Sequence, residues 1–490
     1  MVLCKHRIQE QVTKRMVSVC FNMLGEFMKQ DTISAISTAR TAAGIGIVRM
    51  SGSDSLQIAS KIFIGKTSLE HMKTHTLRYG HIYDGDVLVD EVLLSYMKSP
   101  HSYTGEDIVE INCHGGILPL NRVLDLTYQY GARPADPGEF TKRAFLNGRM
   151  DLSQAEAVMD VINSQSEYAL QNSIRQASGS LKKRINDIRN TIIYNTAFIE
   201  SALDDPEHIS LEGYKEELFS TLAVLKTQMQ ELIHSADDGR IIKDGIKTVI
   251  VGKPNVGKST LLNTLVGSDR AIVTDIEGTT RDALEEQIKI NELSLHIIDT
   301  AGIRSTEDII EKMGVEKSKT YIEEADLVLY IVDGSRELDP NDIEIMHMLK
   351  NKKFIVLLNK SDLEQRITKD YLTERITNII EVCEPFHILD ISAKEEEGIR
   401  EFKDVLLSMF LKGEVSFEDD IFITNGRHKY ALQEAYQAIL LVECAIEDGM
   451  PEDFYTIDLL QAYESLGQIT GESVGEDLVN EIFENFCTGK

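Results

Sequence analysis

Apolar and polar positions alternate along three runs near the N-terminus, "GIGIVRM" (44–50), "EVLLSYM" (91–97) and "DIVEINC" (107–113). A period of two predicts half-buried strands, and the short helical runs between them make 28–145 an α+β domain. From Asp151 the period lengthens to that of a helix. Asp151 with Gln154 can cap a start, and Leu152, Ala155, Val158 and Ile162 then fall on one face. The helical pattern continues to about His234, ahead of an expected hinge at Gly239–Gly245. Over 243–412 the pattern changes again. The apolar runs "TVIV", "LHII", "DLVLYIV", "FIVLL" and "FHIL" alternate with helical stretches, as in a doubly wound parallel sheet buried on both faces. After Lys412-Gly413 helix resumes to the C-terminus, where Ser473 with Glu476 reads as a capping box and Leu478, Ile482 and Phe486 as an apolar stripe. The simplest organisation is a helical domain in two parts, 146–242 and 413–490, with the α/β domain inserted between them.

Composition narrows the classes. The chain has 490 residues, 42% of them apolar, and no run approaches the roughly 18 uninterrupted apolar residues of a membrane span. A formal charge of −29 argues against indiscriminate nucleic-acid binding, although a local basic patch still acts within about 8–10 Å. Six cysteines (Cys4, Cys20, Cys113, Cys383, Cys444 and Cys487) form no CxxC pair, which points to free thiols in a reducing, cytoplasmic setting. Cys113-His114 beside Gly115-Gly116 reads as a turn with a packed histidine rather than a metal site. Residues 1–27 carry Lys5, Arg7, Lys14 and Arg15 against Glu10 and Glu26, and their apolar stretch is broken by Ser18 and Asn22. They read as an over-called start with Met28 the true beginning, and the tryptic peptide Ile8–Lys14 in the native protein would overturn that.

The strongest chemical signal is "TVIVGKPNVGKST": a β-branched run, then Gly252-x-x-x-x-Gly257-Lys258-Ser259, then a helix-forming stretch. Backbone N–H groups of such a loop cradle phosphates, the lysine reaches the terminal ones, and the hydroxyl ligates Mg²⁺. Asn255, Val256, Gly257, Lys258, Ser259 and Thr260 are thus candidate nucleotide contacts. Asp299, at the end of "LHIID", would hold Mg²⁺ through water, with Thr300, Ala301 and Gly302 near the γ-phosphate. In "NKSD" the Asp362 carboxylate can accept both guanine N–H groups, which adenine does not offer. Asn359 and Lys360 flank it, and Ser392, Ala393 and Lys394 meet the base's other edge. The nucleotide is therefore GTP. Between loop and Asp299 lies a switch segment, Thr274, Asp275, Ile276, Glu277, Gly278, Thr279 and Thr280, in which Thr280 is the expected Mg²⁺ ligand. Ile303 stands where a water-orienting glutamine is common, and no arginine finger is evident. Either a separate activator is needed, or a carboxylate among Glu307, Asp308 and Glu311 positions the water and a monovalent cation supplies the charge.

At this point the chain resembles the MnmE/TrmE family of tRNA-modification GTPases, over residues 28–490. The G-domain motifs GxPNxGKS, GTTRD, DTAG[IL]R, ExxG[IV]E[RK], NKxD and SAK are all present. So are "GIGIVR" with "SG" (44–52), "SYTGED" with "HGG" (102–116), "PGEF" through "QAEA" (137–157), and a C-x-G-K ending. The resemblance implies that Asn255, with the carbonyls of Thr274, Ile276 and Thr279, holds K⁺. It further implies that Glu311 orients the water and that hydrolysis requires two G domains to meet. It implies an N-terminal domain that forms the homodimer and binds 5-formyl- or methylene-tetrahydrofolate through Arg49, Glu110, Arg149 and Lys490. The activity implied is modification of the tRNA wobble uridine at its 5 position, by an aminomethyl or carboxymethylaminomethyl group. The implied partner is the FAD- and NADH-using MnmG (GidA), in a heterotetrameric or larger complex. Cys487 becomes a candidate catalytic thiol, its alternative being a buried packing residue. A prenylation box is excluded by Thr488 and Gly489 after the cysteine and by Lys490 at the end. The chain departs from the family in the loop "STARTAAGIG", which lacks the usual Pro and extra Gly, and in Thr488. The rival reading, a ribosome-assembly switch, requires a KH-like domain with a GXXG loop after the G domain, and "FEDDIFITNGRHKYALQEAYQAIL" reads as helix without one.

Overall fold

A computed structural model describes residues 31–268, 286–290, 293–298, 320–380, 385–410, 422–484 and 486–489. Residues 1–27, the switch residues Thr274 to Thr280, Asp299 to Gly302, Glu311 and Lys490 lie outside the described residues. The described chain divides into two compact units, 31–155 with 474–489, and 156–473.

The first unit is built on seven strands: β1 (Ile33–Ile36), β2 (Ala43–Ser51), β3 (Phe63–Gly65), β4 (Thr76–Asp84), β5 (Val87–Met97), β6 (Ile108–Gly115) and β7 (Arg133–Pro134). Their order is β3-β4-β5-β6-β2-β1-β7, antiparallel except for β1 with β7. Alternation sends Val48, Ile111, Leu94 and Ile82 to one face, where helices α1 (Ser55–Ile62) and α2 (Ile117–Gln129) close the core. The intervening residues line the other face. There Arg49 pairs with Glu110 and Glu110 with Ser95, a row across three strands. Cys113-His114 lies in β6, not in a turn. The thiol is buried, and the histidine is exposed and bonded to Asp90 at 2.6 Å rather than packed.

Helix α3 (Glu139–Leu146) starts after Gly138, whose φ of 65° and lack of a side chain are both required. A Cβ there would lie 2.7 Å from the Phe483 carbonyl oxygen and from Phe486.

The second unit carries a helical bundle and a second sheet. Helix α4 (Leu152–Asn163) leads into it and opens with the expected reciprocal cap: Asp151 Oδ1 accepts from Gln154 N at 2.9 Å, and Gln154 Oε1 accepts from Asp151 N at 3.2 Å. Its apolar face is shorter than the pattern predicts, for Leu152 and Ala155 are buried while Ile162 is 43% exposed. Helices α5 (Glu167–Ala177), α6 (Ser180–Asp204) and α7 (Tyr214–Asp244) follow. Helix α7 runs unbroken through Gly239, so the expected hinge there is absent and the helix ends instead at Gly245, φ 74°.

The sheet that follows contains β8 (Ile246–Val251), β9 (Glu286–Ile290), β10 (Leu293–Ile297), β11 (Leu327–Asp333), β12 (Phe354–Asn359) and β13 (His387–Ile391). Their order is β13-β12-β11-β8-β10-β9, parallel apart from β9. Strands β11 and β12 are buried at every position, and two apolar clusters cover the faces, as near-continuous apolar runs require. The helices of this part are α8 (Lys258–Ser268), α9 (Pro340–Met348), α10 (Lys369–Ile379) and α11 (Ile399–Phe410). The chain then returns to the bundle as α12 (Gly426–Glu447) and α13 (Asp453–Thr470), which pack with α6 and α7 around Ile192, Leu225, Ile439 and Leu466.

The final helix, α14 (Glu476–Glu484), belongs with the first unit. It begins three residues after Ser473, so Ser473 is not its cap. The buried stripe is Val479, Phe483 and Phe486, while Leu478 is 37% exposed. Both stripes have helical spacing. The aromatic one wins because Phe483 meets Phe145 and Phe486 at ring separations of 6.4 and 4.9 Å. Among the described residues no helix is long and apolar enough to cross a membrane.

Candidate functional site

The loop between β8 and α8 is shaped by residues that cannot carry other side chains. Gly252 (φ 152°) would place a Cβ 2.5 Å from the Ile331 carbonyl oxygen, and Gly257 (φ 104°) one 2.2 Å from Asn359 Nδ2. Lys258 folds back over the loop, its Nζ donating to the carbonyls of Gly252 (2.6 Å) and Lys253 (2.9 Å). Burial pushes this ammonium below its ordinary pKa, and an approaching phosphate would counter that. The cradle therefore fits a nucleotide's phosphates. Ser259 follows at the start of α8, and Asn255 is exposed in the loop at φ 63°. A hydroxyl and an amide oxygen are donors of the kind hard cations take. Among the described residues no group of three His, Cys, Asp or Glu forms a separate metal cluster.

The base-side motifs converge on the same loop. Asn359 Nδ2 donates to Val256 O at 2.7 Å and its Oδ1 accepts from Ala393 N at 3.0 Å, so one buried side chain ties the phosphate loop to the Ser392–Lys394 turn. Ser392 Oγ donates to Asp362 at 2.7 Å, and Thr264 Oγ1 of α8 donates to Ala393 O at 2.8 Å. Lys360, at φ 69°, bonds Asp333 at 2.6 Å; burial would raise that carboxyl, but Lys360 and Ser335 hold it below its ordinary range. Lys394 is exposed and paired with Glu395. Three supporting residues were not foreseen. Lys253 bonds Asp339 (2.7 Å) and Asp342 (2.6 Å) at the N-terminus of α9, where Asp339 and Asp342 form a capping box around Pro340. The signal was present in "DPND", four letters that read as a helix start.

In the first unit Arg49 Nε donates to Glu110 Oε1 at 2.8 Å. The Arg49 guanidinium also lies 5.8 Å from the centre of the Tyr103 ring and 5.7 Å from that of Phe140. Arg149 donates to the Tyr103 carbonyl at 2.8 Å and sits 5.2 Å from the same ring. Arg49 and Arg149, two of the residues expected to meet folate, thus meet at Tyr103, and the third, Glu110, joins them through Arg49. Next to Glu110 in the row, Ser95 Oγ is buried and has no hydrogen-bond partner among the described residues. An orphaned hydroxyl beside a carboxylate suits a ligand with amide and amino groups, as a pterin ring has.

Cys487 is exposed rather than buried at the edge of the apolar stripe. Its carbonyl accepts from Gly138 N at 3.2 Å, and Gly489 O accepts from Ser37 Oγ at 3.1 Å. A Cβ on Gly489 would lie 2.3 Å from Ile36 O, so the tail lies close against the end of β1.

Sequence comparison agrees with this geometry. Residues 32–149 match the family described as GTP-binding protein TrmE N-terminus, and 152–487 match the MnmE helical domain. The tRNA modification GTPase MnmE of Lachnoclostridium phytofermentans is 51% identical over 466 residues, 94% of this chain and 100% of that one. The protein of the same name from Clostridioides difficile is 48% identical over 466 residues, 94% and 99% of the two chains. That of Acetivibrio thermocellus is 47% identical over 464 residues, 94% and 100%. With matches spanning both units, the second of them enclosing the cradle, the chain belongs to the MnmE/TrmE family of tRNA modification GTPases.

Proposed function

We propose that this chain is a K⁺-dependent GTPase, activated when two G domains meet. With an FAD-containing MnmG-type partner it modifies the wobble uridine of tRNAs at the 5 position. Relatives named tRNA modification GTPase support the activity. The observation that carries the reading is the seating of the C-terminal tail. Gly489 lies on Ile36, Ile36 pairs with Val48 beside Arg49, and Cys487 closes on Gly138, two residues before the Phe140 ring that Arg49 overlies. A free thiol and the Arg49–Glu110 row therefore share one neighbourhood, and GTP hydrolysis needs neither.

In hydrolysis, the loop N–H groups and Lys258 hold the β- and γ-phosphates, and Asp362 selects guanine. Ser259 and Thr280 would hold Mg²⁺. Asn255 with the carbonyls of Thr274, Ile276 and Thr279 would hold K⁺, a positive charge in the place of an arginine finger. Glu311 orients the water. In the other unit Arg49, Glu110, Arg149 and Lys490 would hold 5-formyl- or methylene-tetrahydrofolate, which supplies the one-carbon unit. Cys487 offers its Sγ to the modification centre, while the FAD and NADH chemistry belongs to the partner. The open face of the first sheet exposes Leu77, Tyr79 and Leu93, an apolar surface that supports a homodimer. Hydrolysis acts in the cytoplasm to rearrange this assembly rather than to make the carbon bond.

Mass spectrometry of wobble uridines from cells lacking the protein tests the proposal. The modified nucleoside disappears and returns with the wild-type gene but not with Cys487→Ser. Unchanged modification in the deletion strain overturns the tRNA reading and leaves the GTPase reading to be judged by its own test, hydrolysis that rises in K⁺ and not in Na⁺.

A further inference from the structure

The segment Ser102–Asp107, "SYTGED", turns back on itself at Gly105 (φ 78°) and is gripped by α3 and the residues after it. Tyr103 Oη shares a hydrogen bond with Thr141 Oγ1 (2.9 Å), Asn147 Nδ2 donates to Thr104 O (2.7 Å), and the buried Arg143 donates to Glu106 at 3.1 Å. Three contacts in four residues fix where the half-buried Tyr103 ring stands. Against that ring lie the guanidiniums of Arg149 and Arg49, at 5.2 and 5.8 Å. These cations are distant in sequence and would repel one another in the open; an aromatic face attracts both. Burial pushes the Tyr103 phenol above its ordinary pKa, against the pull of Thr141, Arg49 and Arg149, so the ring stays neutral.

We propose that Tyr103 is the positioning residue of the folate site, its ring holding Arg49 and Arg149 at the spacing a bound folate meets. The inference rests on the reading of Arg49, Glu110 and Arg149 as folate contacts. Tyr103 acts through the two arginines, and Thr141 acts through Tyr103. A ring without its hydroxyl still presents a face to both cations, whereas an aliphatic side chain of similar length does not.

The test is calorimetric titration of the full-length protein with 5-formyltetrahydrofolate, with the thermal midpoint of each variant as the control on folding. Tyr103→Leu weakens binding about tenfold, the loss of two cation–ring contacts, and Tyr103→Phe stays within about threefold of wild type. In the Tyr103→Leu background, Arg149→Ala costs less than in the wild type, because the arginine is already out of place. Tyr103→Met replaces the leucine variant, with the same expectation, if the latter does not fold. Equal binding by Tyr103→Leu and wild type, while Arg49→Ala binds weakly, overturns the positioning role alone. So does full additivity of the double variant. Binding that survives both Arg49→Ala and Glu110→Gln overturns the folate reading beneath it.

Discussion

The Asn359 side chain is 3% exposed and uses both its ends on the protein, one on Val256 O and the other on Ala393 N. Asn359→Ala leaves a buried carbonyl and a buried N–H without partners, each costing about 1–3 kcal/mol. GTP affinity is therefore expected to fall at least about tenfold, together with the thermal midpoint, in a titration with a fluorescent guanine nucleotide. Unchanged affinity would show that the loop and the Ser392–Lys394 turn hold their places without the tether. The motif was legible because phosphate and guanine chemistry demand particular residue types at particular spacings. The tether was not, since its partners lie 103 and 34 positions away. Tyr103 and Ser95 escaped for a related reason. Tyr103 stands inside the SYTGED motif, but the motif does not say what its ring touches, and both residues gain meaning only from strand register and from the turn that α3 grips.

At the scale of elements, period and caps were read correctly where they were strong. The apolar runs of β8, β11, β12 and β13 and the Asp151–Gln154 cap all stand where the pattern put them. Failures arose where two local patterns were equivalent or where distant chain decided. Two stripes of helical spacing competed in α14 and the residues just after it, and aromatic contact chose between them. Gly239 suggested a hinge, yet it sits inside α7 because the returning chain crosses there, with Ile423 O only 2.2 Å from where a Cβ would be. The crossing is held firmly: Asn172 and Gln176 of α5 bond the Phe422 backbone, and Ser235 Oγ accepts from Ile423 N. This makes a prediction of sign. In an unencumbered helix interior Gly→Ala stabilises by about 1 kcal/mol. Gly239→Ala is expected to destabilise by about 1–3 kcal/mol, the cost of forcing a backbone crossing apart. Urea denaturation that finds the alanine variant more stable would mean the strap yields freely.

The whole molecule has a formal net charge of −29, and its acid response combines two opposed effects. Protonating surface carboxylates relieves repulsion among them and favours the compact state. Protonating a paired, buried carboxylate removes stability. Glu156 is the clearest case of the second kind in the described bundle. Its Oε2 lies 2.7 Å from His428 Nε2 and 2.8 Å from Arg427 Nη2, and Asn425 donates to Oε1 at 2.9 Å. Burial alone would raise this carboxyl, but His428 and Arg427 outweigh it and hold it down to about 2, against an ordinary 4.5. Because the folded value is the lower one, its contribution is complete above the unfolded value. It fades as the pH falls from about 4.5 toward 2. The difference corresponds to a contribution on the order of 3 kcal/mol at neutral pH. Glu156→Gln keeps the shape and loses the charge, so it is expected to cost about 2–4 kcal/mol at pH 7 and progressively less at pH 4 and pH 3. Subtracting the variant's stability from the wild type's at each pH cancels the surface repulsion common to both. The remainder isolates the one buried carboxylate, and a difference that stays constant from pH 7 to pH 3 would show that the ion pair contributes by packing rather than by charge.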